Sequence, residues 1–244
     1  MVDFGAAMSR PFQDLKTAII GIILGMIPVV NILTVPGFAL RNAKKSLEGD
    51  DSLLSWGDWG DIIVKSILLI IIGIIYIIPV VILAFLILGA AILSMISMAS
   101  SIQGTAGYAT LFPLATVTGS AQFEQFSTML GTMLGAILVI VLLALFVAFI
   151  LPMAIMHWLK EESFGAAFRF GSVIKKSFTG PYIVAWIFSL AIMFIFFIVA
   201  VLLGFIPYVG VFIASGLSTY VVAVAEYTLF AQAYRELEQR AVTA

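Results

Sequence analysis

The chain has no cysteine, a single histidine (His157) and little charge, with Asp, Glu, Lys and Arg making up 10% of its residues. A soluble domain usually carries about 25%. The lack of cysteine excludes disulfides, iron–sulfur clusters, thiolate zinc sites and cysteine nucleophiles. One histidine without clustered carboxylates makes no metal site. A net charge of −1 leaves neither a nucleic-acid footprint nor a strongly basic lipid-binding tail. Also missing are a Walker loop, a Gly-x-Ser-x-Gly elbow, a His-Glu-x-x-His pair and two facing acids in an apolar run. These absences point away from an enzyme, a metal or a cofactor. Residues 1–13 lack the basic-then-apolar layout of a removable signal peptide, so insertion is expected to use the first apolar segment.

What the chain does have is apolar length. Hydrophobic residues make up 63% of it. Between Lys65 and Lys160 the one charged side chain is Glu124, and from Phe178 to Tyr234 it is Glu226. All twelve Lys and Arg fall within residues 10–65, 160–176 and 235–240. Water-exposed faces need more charge than that, whereas a charge at a bilayer centre costs several kcal/mol. The pattern predicts a polytopic membrane protein with lipid as its main partner, built as a single membrane domain over residues 1–244.

A spanning helix needs about 20 apolar residues. Candidate segments are residues 17–40, 62–99, 129–156, 181–204 and 207–233, with Ser-, Thr- and Gly-rich residues 100–127 as a loop. Basic flanks favour the cytoplasmic side. They place the N- and C-termini inside and loop 100–127 outside the cell membrane. With Lys16 and Arg41 both inside, residues 17–40 must enter and leave on one side. Twenty-four residues cannot cross about 30 Å twice. A broken hairpin turning near Gly25–Pro28 is favoured over a single span. The expected fold is all-α: four full spans plus this hairpin (five or six spans by hydropathy), with two cytoplasmic amphipathic elbows.

Short matches suggest an internal parallel repeat, with halves 17–99 and 129–233. Gly25-Met-Ile-Pro28 recurs as Gly204-Phe-Ile-Pro207, and the elbow beginning Trp59-Gly60 as Phe170-Gly171. Trp56, Trp59, Phe168, Phe170 and Trp158 are expected to anchor at headgroup depth. Asp61 and Lys65 are spaced for an i,i+4 ion pair. Asp58 and Arg169 are candidates for a bridge between elbows, the plainer alternative being two elbows with solvated charges. Acidic Glu48, Asp50 and Asp51 read as a solvated loop.

Several stretches resemble the archaeal and bacterial membrane proteins grouped as domain of unknown function 4013. They are Lys16 to Gly21, Ile27-Pro28-Val-Val-Asn31 with Gly37 and Arg41, Trp56-Gly-Asp58-Trp59-Gly60-Asp61, Phe164 to Phe168, and Ala233-Tyr234-Arg235-Glu236. Ser55 departs from the resemblance, standing where a proline is expected. The resemblance implies a multi-spanning membrane protein and carries no catalytic residue.

Glu226 is the one acid inside an apolar span. Pairing with Arg41, Lys44 or Lys175 is the structural reading; an ion or proton site with Thr219 is the functional one. Asn31 is placed to satisfy backbone groups freed by the hairpin break, with a ligand contact as the lesser alternative. His157 fits a membrane boundary. The leading function expected is a non-enzymatic scaffold or subunit that associates with other membrane proteins or itself. A small-solute or ion transporter using Glu226 is the alternative, and a lipid-handling protein has the least support.

Overall fold

A computed structural model describes residues 2–109 and 119–243. Their regular structure is helical throughout: α1 (Phe4–Ser9), α2 (Leu15–Met26), α3 (Pro28–Leu47), α4 (Trp59–Ala109), α5 (Gly119–Glu161), α6 (Phe170–Ser177), α7 (Gly180–Gly204) and α8 (Gly210–Thr243). Short 3-10 turns occupy Arg10–Phe12 and Phe164–Phe168. Four segments are long and apolar enough to cross a bilayer: Trp59–Ser94, Leu130–Glu161, Gly180–Gly204 and Gly210–Val242. The protein is an all-α, multi-pass membrane protein. It divides into two compact units, Met1–Ile75 with Phe149–Ala244, and Tyr76–Ala148.

The first unit contains a helical hairpin. Asp14 caps α2, its carboxylate accepting from the Thr17 N–H at 3.0 Å. Ile27 is extended (φ −98°, ψ 108°), and Pro28 opens α3 at a position where a missing N–H is harmless. The neighbours along α8 give the directions. Gly21 lies against Tyr220 and Gly25 against Gly216, so α2 runs antiparallel to α8. The Phe38 ring is 6.2 Å from that of Tyr220, and the Ser46 carbonyl accepts from Arg235 at 2.8 Å, so α3 runs parallel to it. The 12 residues of α2 rise about 18 Å, less than the roughly 30 Å of hydrocarbon. The two helices thus form a hairpin that turns at Ile27.

Glycine permits two close crossings in this unit. A Cβ on Gly25 would stand 2.7 Å from the Gly216 carbonyl oxygen. Gly37 packs against the Ile62 backbone, and its N–H donates to the buried Ser66 hydroxyl at 2.8 Å. Pro36 sits one residue earlier inside α3 and removes an N–H from the helical ladder. Ser66 takes up the neighbouring donor there.

Two expectations are corrected. Residues 100–109 and 119–127, expected as loop, continue α4 and α5 as helix, while 110–118 of that loop lie outside the described residues. Ser, Thr and Gln lower helix propensity by only tenths of a kcal/mol each, so a helix already nucleated propagates through them. Residues 62–99 likewise lie in one helix, with Pro79 inside it. The first elbow is not a separate helix: residues 50–58 are non-helical, and Trp59 begins α4 directly. Its amphipathic turns lead without a breaker into the apolar run. The second elbow is distinct, because α6 ends at Ser177 before Pro181 helps to start α7.

Candidate functional site

The basic residues of the first unit gather at one end of the bundle. Arg10 is fully buried. Its guanidinium donates to Thr228 Oγ1 (3.0 Å), to the carbonyls of Asn42 and Ser52 (3.0 Å each) and to the Ser46 hydroxyl. Burial pulls its pKa down to about 10, against the opposing pull of Asp51 and Asp50, so it stays charged at neutral pH. Arg235 donates to Asp51 at 3.3 Å, and Lys45 lies 3.1 Å from Asp50. Hydrogen bonds from the Ser52 N–H and hydroxyl, with Lys45, hold Asp50 down to about 2. The acidic loop is therefore bound into the end of the bundle, not simply solvated.

The elbow charges pair locally. Arg41 lies 3.7 Å from Asp58 and 3.2 Å from Asp61, and Lys65 also pairs with Asp61. Arg169 pairs with Glu161 at 2.8 Å, so the expected Asp58–Arg169 bridge is replaced by contacts nearer in sequence. Lys44 pairs with Glu162; the bond raises the lysine's pKa and lowers the carboxyl's.

The aromatic anchors divide. Trp59 and Phe170 are about half exposed, and Phe168 is half-buried. Trp56 turns inward, donating its indole N–H to the Thr17 carbonyl at 2.9 Å and stacking on Phe38 at 4.0 Å. Trp158 is buried within the protein, because its face of α5 is the packed one. Beside it, His157 is buried too. Its Nδ1 lies 3.0 Å from the Met153 carbonyl and its Nε2 2.9 Å from the Ser172 hydroxyl, so Nδ1 donates and Nε2 accepts. The Tyr234 ring meets it edge-on, and Lys176 donates to the Tyr234 hydroxyl at 2.9 Å. His157 thus joins α5, α6 and α8.

Further along α8, away from this charged end, lies a groove of about 500 Å³ between α7 and α8, with Pro36 of α3 and Leu69 of α4 at its side. Glu226 lines it and accepts from the Ser189 hydroxyl at 2.7 Å. Ser189 is nine residues into α7, about 14 Å of rise from its start. Among the described residues no basic side chain pairs with Glu226. The expected partners are unsuitable: Arg41 and Lys44 are held by Asp58, Asp61 and Glu162, and Lys175 is exposed. Thr219 and Ser218 also line the groove, and the Ser218 hydroxyl is buried without a hydrogen-bond partner.

Residues 20–205 match the family described as protein of unknown function (DUF4013). The chain belongs to that family. No curated protein and no solved structure matches it. The match takes in the hairpin, α4 to α7, Pro36 and Ser189. Glu226, Ser218 and the terminal stretch 233–236 lie beyond it.

The structure therefore brings Glu226 and Thr219 into one groove and leaves Asn31 apart. The Asn31 amide donates to the Gly25 carbonyl at 3.1 Å, at the hairpin break. Sequence reasoning missed Ser189 and Ser218. Serines in spanning helices usually bond back to their own helix, as Ser94 of α4 does here to the Ala91 carbonyl at 2.7 Å, so neither stands out in the sequence.

Proposed function

We propose that this membrane protein is a non-enzymatic carrier that takes up a small solute or ion at Glu226, with its termini on the cytoplasmic side. The supporting observation is the unpaired acid: Glu226 has Ser189 but no cation beside it, in a groove rimmed by exposed Met193 and Phe197. A structural ion pair would have removed the reason to look for a ligand. An intramembrane acid without a protein counter-charge is a functional feature by default.

The test is solute and proton flux in proteoliposomes, comparing the native chain with Glu226→Gln. Loss of flux with an unchanged elution profile and melting curve supports the carrier reading. Flux that is absent from both, or equal in both, refutes it. Sidedness is tested separately. A cysteine placed at Ser120 of this cysteine-free chain should react with an impermeant reagent on intact cells, and reaction only after permeabilisation would reverse the orientation.

A scaffold or subunit role is favoured by a different observation. In the second unit, a Cβ on Gly89, Gly131 or Gly135 would meet nothing within 4 Å, so another helix has room to approach closely. Site-specific cross-linking from Gly135→Cys in membranes tests that reading. A defined adduct with a second copy or another membrane protein supports it, and lipid adducts alone refute it.

A further inference from the structure

We propose that the Glu226 groove binds a lipophilic organic monocation, an ammonium group carried on an apolar body, which enters from the bilayer. This deepens the carrier reading and rests on it for any movement of the ligand, although binding itself does not. The groove's two ends differ in chemistry. At one end Glu226 supplies a carboxylate with one hydroxyl donor, Ser189, and no counter-charge from the protein. At the other, eight residues or about 12 Å along α8, Ser218 lines the wall with its hydroxyl closed off from the groove. Between them the walls are largely apolar, lined by Val222 on α8 and by Met193, Phe196 and Phe197 on α7.

The charge balance selects the ligand. A neutral lipid tail would fill the walls but leave the carboxylate without a counter-charge. A hydrated inorganic cation would meet the carboxylate but leave the aromatic walls and about 500 Å³ to fill. An anion would face Glu226 with no basic residue to hold it. An ammonium on an apolar body satisfies both parts, and aromatic walls tolerate a cation passing over their faces. Exposure of Met193 (54%) and Phe197 (64%) on the rim opens the path sideways to lipid, with no need for a water-filled route. The volume lies within the range of roughly 300–1,000 Å³ usual for small-molecule sites.

The test uses the full chain in phosphatidylcholine nanodiscs and three nitroxide-labelled amphiphiles of one chain length: a primary ammonium, an alcohol and a carboxylate. Electron spin resonance reads the immobilised fraction. The ammonium is expected to saturate one site per chain, at least tenfold tighter than the alcohol or the carboxylate. Glu226→Gln should abolish that preference, and Glu226→Asp should keep part of it. Val222→Phe fills the middle of the groove without touching the acid and should also remove binding. It guards against a Glu226 variant that fails to fold. Equal binding of all three probes, or an ammonium preference that survives Glu226→Gln and Val222→Phe, overturns the proposal. Glu226-dependent flux of protons or inorganic cations without ammonium binding would overturn this proposal and leave the carrier reading standing. Ammonium binding without flux of any solute would do the reverse.

Discussion

The contact between α2 and α8 depends on two glycines, and its cost of disruption can be worked out. A Cβ on Gly25 would lie 2.7 Å from the Gly216 oxygen and 2.9 Å from its Cα, where ordinary contact begins near 3.4 Å. Both obstacles are backbone, so no side chain can swing aside, and the helices must part by about 0.7 Å over the short length of α2. Overpacking of this kind costs about 1–3 kcal/mol. Alanine's better helix propensity returns at most about 1 kcal/mol. With that return subtracted in full, Gly25→Ala should destabilise by up to about 2 kcal/mol. Gly216→Ala, which meets the Ile22 carbonyl more closely still, should cost at least as much. Once the helices have parted the second methyl finds room, so the double variant should cost less than the sum. Reversible unfolding by added SDS, read from tryptophan fluorescence, measures this. Gly135→Ala, with nothing within 4 Å, is the control and should be neutral or slightly stabilising. If all three single variants unfold at one SDS fraction, the close crossing is not part of the folded protein.

Replacing buried Arg10 by Gln leaves Thr228, Ser46 and two carbonyls short of their donor, and should cost about 3–5 kcal/mol in the same assay. Arg10→Lys should lose most of that too, since one ammonium cannot span four acceptors; native-like stability would refute the latch. His157→Phe keeps the shape but abandons Ser172 and the Met153 carbonyl, so a loss of about 1–3 kcal/mol is expected. The acid limb of stability follows from Asp50 and Glu162, both held below their ordinary pKa values. A depressed carboxyl stabilises the fold above its unfolded pKa, and the effect fades as pH falls through the folded one. The melting temperature should hold from pH 7 to about 5 and then fall towards pH 2. Asp50→Asn should flatten that fall, and an unchanged slope would show that Asp50 is free in solution.

The class of the protein was legible because hydrocarbon imposes its rule on every turn of a spanning helix. The runs without charge around Glu124 and Glu226 leave no soluble alternative. The hairpin was legible for a different reason, as a conflict of arithmetic. Basic flanks at Lys16 and Arg41 demanded one side, and 24 residues could not make two crossings. Pro28 then marked the turn, since proline suits the first turn of a helix better than its interior. The elbow before Ile62 was misjudged. An amphipathic pattern tells which face is wet but not where a helix stops, and nothing between Trp59 and Pro79 interrupts the ladder. Trp56 was misplaced by the same limit, because composition records that an indole prefers an interface and not that a backbone carbonyl of Thr17 stands ready inside.

Glu226 shows where pairing by proximity fails. Arg41, Lys44 and Lys175 were in reach as types, but Arg41 and Lys44 meet an acid close by at the same end of the bundle (Asp58, Asp61 or Glu162), and Lys175 is exposed. Short local pairs cost less conformational entropy than a long side chain reaching into lipid. Arg235, nine residues further along α8, lies about 13 Å away by helical rise and is held by Asp51 and the Ser46 carbonyl. The cations are spent at the end of the bundle, and the depth of Glu226 keeps them from it. Its lack of a counter-charge thus follows from where the other acids sit.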